Sequence, residues 1–352
     1  MKIPLLRSLL VVLFTLAPLV ARSANIDYFH IFNFDHRNDG TVELPGRLLV
    51  PEPYDPNRSY PLFIHFHGID HRGTNNTSQI AEIGKLIEAA RNPDHPFFLY
   101  VPQLPSGSWP GTAVDRAMRM LSRVCAIYNI DQSRIYVTGI SLGGGGVWDS
   151  LSRYAGALAG GVPIAGVEHN PNYSLLVGKP IWIFHGVFDS IVNVQSSRNR
   201  VNGMRASQGL PTLTFPLNSL PPNDPYYNNG PPLYATGSAC VYDENRLRYT
   251  EFTQGGHTQS FWDRCLSDPN LLPWLFANPN PLSESSLQLN ESILFDFGAN
   301  RVNTANGLTW NGTTSEMFDT PGTAIAFGKN STGRITIVSL DINRRFAGDT
   351  SG

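Results

Sequence analysis

Three residues far apart in the chain, Ser141, Asp189 and His257, are of the types that together make an activated nucleophile. The serine stands in Gly139-Ile140-Ser141-Leu142-Gly143, a G-x-S-x-G pattern read straight out of the strand-forming run Ile135-Tyr136-Val137-Thr138. That context gives the pattern meaning. A sharp strand-to-helix turn presents the hydroxyl, and the flanking glycines remove Cβ atoms that would collide with neighbouring backbone. A serine hydroxyl is a poor nucleophile near neutral pH, so it needs a histidine base and a carboxylate to orient that base. Asp189 lies just beyond the buried run Pro180-Ile181-Trp182-Ile183-Phe184-His185-Gly186, and His257 follows Arg248-Tyr249-Thr250-Glu251-Phe252 and Gly255-Gly256. Each therefore sits past the carboxyl end of an expected strand, where active-site groups of open α/β sheets gather.

Other residues compete for these roles. Asp224 and Asp243 are alternative acids, while Asp263 comes after the histidine and suits a helix start better. His67 and His185 each precede a glycine at a strand end, where packing or a backbone hydrogen bond is expected. His65 and His67 are two apart on one strand face and could begin a metal site. No third ligand joins them at suitable spacing, so no metal or organic cofactor is expected. His71 lies in the polar loop after His67-Gly68-Ile69, close enough in sequence to touch a substrate.

The elements that must position these groups alternate in type. Residues 28–34 and 42–50 read as opening antiparallel strands, and 62–66 as the first buried one. Residues 79–91 read as a helix with Ile80, Ile83, Ile87 and Ala90 at helical spacing. A strand is expected over 97–101, an amphipathic helix over 113–130, a helix from about Gly145 after the elbow, and a strand over 157–164. Alternating strands and helices imply a mostly parallel sheet covered on both faces, an α/β architecture.

These stretches resemble the α/β-hydrolase superfamily. The matching segments are HFHGIDHRGTNN (65–76), DQSRIYVTGISLGGGGVWD (131–149), PIWIFHGVFDSIVNV (180–194) and GGHTQSFWD (255–263), spanning roughly residues 45–278. The branch they resemble groups secreted esterases, predicted peptidase-like and phospholipase/carboxylesterase-like hydrolases with polyhydroxybutyrate-depolymerase and feruloyl-esterase relatives. The resemblance implies the α/β-hydrolase fold, with Ser141 as nucleophile, Asp189 as acid and His257 as base. It also implies an oxyanion hole of two backbone N–H groups, from Leu142 and from Ile69 in the HG loop. The activity implied is hydrolysis of a small-molecule or polymer ester through an acyl-enzyme. A serine peptidase on the same fold, and a non-catalytic surface-binding protein, are the alternatives.

The chain start has the form of a secretory signal peptide over residues 1–23: Lys2 and Arg7, then an apolar stretch from Leu9 to Val20, then Ala21-Arg22-Ser23. The apolar run is shorter than the ~20 residues a membrane-spanning helix needs. A secreted or periplasmic protein without a membrane span is expected. Composition is that of an ordinary globular chain: 41% hydrophobic and 15% charged residues with a net charge of −2 offer no basic patch for nucleic acid. Of three cysteines, Cys125 falls on the apolar face of the 113–130 helix, and Cys240 and Cys265 flank the histidine segment as a candidate disulfide.

The hydrolase domain is expected over 25–278, with two departures from its usual pattern. Residues 209–243 form a Pro/Asn/Gly/Tyr-rich insertion, read as a candidate lid in which Tyr226, Tyr227 and Tyr234 contact substrate. Residues 279–284 read as a linker, and 285–352 as a short, incomplete β-rich module with strands near 293–298, 308–311, 323–327 and 334–340. A complete module of that kind is a candidate for carbohydrate or cell-surface attachment.

Overall fold

The computed structural model describes residues 25–35, 40–215, 239–252 and 255–280, and, as backbone, the tail strands at 302–305, 308–311, 324–329 and 335–341. In chain order the strands of the main sheet are β1 (Phe29–Ile31), β2 (Gly46–Leu49), β3 (Tyr60–Phe66), β4 (Phe98–Pro102), β5 (Ile130–Ile140), β6 (Gly160–Ile164), β7 (Ile181–Gly186), β8 (Ala239–Glu244) and β9 (Leu247–Phe252). The helices are α1 (Gly84–Ala90), α2 (Thr112–Ile127), α3 (Leu142–Arg153), α4 (Gln195–Ser207), α5 (Gln259–Leu266) and α6 (Leu271–Phe276).

The nine strands lie in the order β1-β2-β4-β3-β5-β6-β7-β9-β8. The run from β4 through β3, β5, β6 and β7 to β9 is parallel, and antiparallel strands close both edges. Strand alternation divides the core. Leu62, Ile64 and Phe66 of β3, with Ile135 and Val137 of β5, face a cluster shared with α2, α3 and α4. Phe63 and Tyr136 face the opposite cluster, shared with α1, α5 and α6. The fully buried central strands read as continuous apolar runs because helices cover both faces. Each large aliphatic side chain buried this way contributes roughly 1.5–3 kcal/mol.

Several boundaries differ from the sequence expectation. The helix expected from Gln79 begins instead as a 3₁₀ segment, Ser78–Ile83, and becomes α-helical only at Gly84. α2 stops at Ile127, since Ile130 already belongs to β5, and α3 starts at Leu142 rather than near Gly145. The end of the 209–243 insertion is not loop: residues from Ala239 form edge strand β8, paired antiparallel with β9. The candidate Cys240–Cys265 disulfide is contradicted at Cys265. Cys265 is a free thiol on the buried face of α5, packed into the core, and the Cys240 side chain lies outside the described residues. Cys125 is half-buried against the other cluster, and burial pushes its thiol up to about 12. In the tail, Val302–Ala305 pairs with Leu308–Asn311, and Ala324–Lys329 with Ile335–Asp341, both antiparallel. Tyr226, Tyr227, Tyr234, Asp224, the 1–23 leader and the strand expected near 293–298 lie outside the described residues. Among the described residues no helix is long and apolar enough to cross a membrane.

Candidate active site

Strand β5 delivers Ser141 at the top of the sheet, between β3 and β6, with φ 54° and ψ −115°. A non-glycine residue rarely adopts positive φ, and here the surroundings enforce it. Ser141 N–H donates to the Ile164 carbonyl at 2.9 Å, and the Ser141 carbonyl accepts from Val167 N–H at 3.0 Å. The turn is so tight that a Cβ on Gly139 would strike the Gly143 carbonyl, and one on Gly143 would strike the Phe66 carbonyl. The G-x-S-x-G spacing thus reflects two backbone approaches that admit no side chain.

Parallel pairing of β7 with β9 brings the two downstream loops together, with Gly186 opposite Phe252. His257 Nδ1 lies 2.7 Å from Asp189 Oδ2, and His257 Nε2 lies 2.8 Å from Ser141 Oγ. With Asp189 ionised, the proton on Nδ1 points at the carboxylate and leaves Nε2 to accept from the serine hydroxyl. Asp189 is itself held: its Oδ1 accepts Ile191 N–H at 2.9 Å and Val192 N–H at 2.8 Å. Burial alone would raise its pKa, but the His185 and His257 rings and these backbone donors hold it well below the usual carboxylate range. His185 lies beneath, bonded to Ser197 Oγ and the Val192 carbonyl, so it braces the acid loop. The Trp262 ring meets the His257 ring edge to face at 4.8 Å. The rival carboxylates are occupied elsewhere: Asp243 accepts from Arg248, and Asp263 accepts from Gln259.

On the other side of Ser141, the loop after β3 enters a short 3₁₀ turn, Ile69–His71. Gly68 packs against the serine, its missing Cβ position only 3.7 Å from Ser141 Cβ. Leu142 and Ile69 each open a helical turn, where backbone N–H groups lack an intrahelical acceptor. Neither N–H donates to any described residue, whereas Gly68 N–H is already given to Glu82 Oε1 at 2.8 Å. His67 acts as a strut: Nδ1 donates to the Gly68 carbonyl at 2.6 Å and Nε2 accepts Leu104 N–H at 2.9 Å. Burial lowers its pKa to about 4, consistent with an Nε2 that must stay an acceptor.

His71, expected to reach substrate, is turned inward with Nε2 at 3.3 Å from Glu82 Oε2. That bond to the carboxylate raises its pKa above the ordinary 6.5. His65 bonds Thr138 Oγ1 and Glu82 Oε1, and among the described residues no group of three or more His, Cys, Asp or Glu side chains is arranged to hold a metal ion. Glu82 was not anticipated from sequence. Its signal was an acid inside the stripe Gln79, Ile83, Leu86, Ile87 and Ala90 that α1 and its 3₁₀ lead bury. Also unanticipated are three exposed apolar side chains on the catalytic loops: Ile69 (45% exposed), Phe188 (68%) and Ile191 (70%).

No family model and no curated protein sequence matches the chain. Among solved structures, the chain is similar to a thermostable esterase, at 28% identity and a TM-score of 0.56 over 72% of this chain. It spans 64% of that esterase's length. It is also similar in fold to an acetyl xylan esterase from Aspergillus awamori, at 14% identity and a TM-score of 0.51, covering 70% of this chain and 98% of that enzyme. The mostly parallel nine-stranded sheet, the serine at a strained strand-to-helix turn and these esterase neighbours together show that the chain has the α/β-hydrolase fold.

Proposed function

We propose that the chain is a serine-dependent carboxylic ester hydrolase. One observation carries the reading: the unbroken hydrogen-bond relay from Asp189 through His257 to Ser141, at 2.7 Å and 2.8 Å. As Ser141 Oγ attacks the ester carbonyl, its proton passes to His257 Nε2. The carbonyl oxygen becomes an oxyanion and accepts Leu142 and Ile69 N–H. Collapse breaks the bond to the alcohol, which leaves with the proton from His257. Water then gives a proton to His257, attacks the acyl-enzyme, and the acid departs as the proton returns to Ser141. Asp189 keeps the imidazole in the productive tautomer and stabilises its charged form. No step calls on a metal or an organic cofactor.

The similarity to esterases supports ester over amide chemistry. A panel of short- and long-chain aryl esters, feruloyl esters, acetylated sugars and peptides, with Ser141→Ala as blank, tests this. Turnover of at least one ester class, lowered roughly 10³–10⁶-fold by the substitution, is expected. Peptide cleavage without ester cleavage would overturn the reading. The leader-like start points to export. Protein expressed with its own leader should be recovered outside the cytosol with a mature end following Ser23; an intact Met1 there would contradict export.

A further inference from the structure

We propose that Glu82 is a positioning residue for this reaction, acting with His71 to hold the loop whose Ile69 N–H completes the oxyanion hole. The inference rests on the ester-hydrolase reading and adds a residue to it. Glu82 is nearly fully buried, on the 3₁₀ segment that leads into α1. Its carboxylate collects three partners from two directions: Gly68 N–H at 2.8 Å, His65 Nε2 at 3.3 Å and His71 Nε2 at 3.3 Å.

Each partner ties the carboxylate to the reaction centre. Through Gly68 N–H, Glu82 fixes the His67–Gly68 peptide plane, and the next plane, which carries Ile69 N–H, is held at the Gly68 carbonyl by His67 Nδ1 and His71 N–H. His71 closes the same turn from its other end, its N–H donating to the Gly68 carbonyl at 3.3 Å. His65 faces the Thr138 hydroxyl at 2.6 Å, joining Glu82 to the strand that ends in Ser141. The Glu82 carbonyl accepts Gln259 Nε2 at 3.0 Å, joining it to the helix that follows His257. One residue therefore cross-links the oxyanion loop, the nucleophile strand and the histidine helix.

A buried negative charge beside an oxyanion hole would by itself oppose the charge that develops there. The histidine partners offset it. His71 is the one whose pKa this carboxylate raises, and Asp70 reinforces the effect. Hydrogen bonds from His65 and His71 outweigh burial and hold Glu82 ionised, at about 2. His67, the remaining histidine of the loop, is kept uncharged by burial.

The test compares Glu82→Gln, His71→Ala and the double variant with wild type on the best ester found. Misplacing a reacting group or donor by about 1 Å costs on the order of 10²-fold. Glu82→Gln should lower kcat about 10- to 100-fold with KM within about 2-fold. An alkylboronic acid, which forms a tetrahedral adduct at Ser141, should weaken by the same factor as kcat/KM. His71→Ala should lower kcat in the same way, and the double variant should cost no more than the worse single one. If Glu82→Gln does not fold, His71→Ala, whose site is part-exposed, carries the test through the same kcat, KM and boronic-acid readouts. Wild-type kcat in a folded single variant, or additive losses, would overturn the inference. So would a lowered melting temperature with unchanged kcat. An inactive wild type on every ester would instead sink the ester-hydrolase reading.

Discussion

Asp189 shows how one side chain is given a single task. Its Oδ1 is satisfied by two backbone N–H groups, so only Oδ2 is left for His257. Asp189→Asn puts an amide where that geometry needs two acceptors, and an N–H facing Nδ1 favours the wrong imidazole tautomer. In the proposed mechanism kcat should fall roughly 10⁴-fold with little change in melting temperature; a loss below about tenfold would contradict the assigned role. The Glu82–His71 pair makes a separate prediction about stability. His71 has its pKa raised on folding, so its contribution is complete below pH 6.5 and is lost as pH rises through the raised value. Glu82 has its pKa lowered, so its contribution is present above 4.5 and is lost as pH falls through about 2. The melting-temperature gap between wild type and His71→Ala should thus be widest near pH 5–6 and narrow towards pH 9. A gap independent of pH would contradict the pairing.

Elements, rather than residues, explain why four glycines in a row follow the nucleophile. Glycine weakens a helix by about 1 kcal/mol per residue relative to alanine. The helix expected from about Gly145 starts instead at Leu142, so all four glycines lie inside α3. Close approach wins: Gly143 passes beneath the Phe66 carbonyl, which leaves no room for a methyl group. Gly143→Ala should cost about 3 kcal/mol or more in urea unfolding. Gly256→Ala, whose Cβ would meet nothing nearer than the Phe188 carbonyl at 3.8 Å, should be close to neutral. Equal costs would contradict the account. Strands β3, β5, β7 and β9 and the three residues of the relay were legible in sequence because buried parallel strands read as apolar runs that end where chemistry begins. Strand β8 was not, since it emerges from a Pro/Asn/Gly-rich stretch and gains its order by pairing with β9. Glu82 was not either, because sequence periodicity marks it as buried without saying which donors wait there.

For the whole molecule, the relay and the nine-stranded sheet that carries it lie before residue 281. Every strand of the nine-stranded sheet ends by Phe252, and Asn280 docks back on the core through Ser133 and Gly156 carbonyls at 2.8 Å and 2.9 Å. A chain ending at Asn280 should fold and keep kcat/KM on small soluble esters within about twofold of the full chain, a difference of less than ~0.5 kcal/mol in barrier. Loss of activity on that truncation would give the tail a catalytic part. The claim on which all of this depends is that the Ser141 hydroxyl, activated by His257, forms a covalent bond with the acyl carbon. Intact-mass and peptide mapping after reaction with an aryl organophosphonate measures that reactivity directly. The account predicts one phosphonyl group per chain, located on Ser141, with loss of ester turnover in step with labelling. Labelling at another residue, or ester turnover that survives full modification of Ser141, would contradict it.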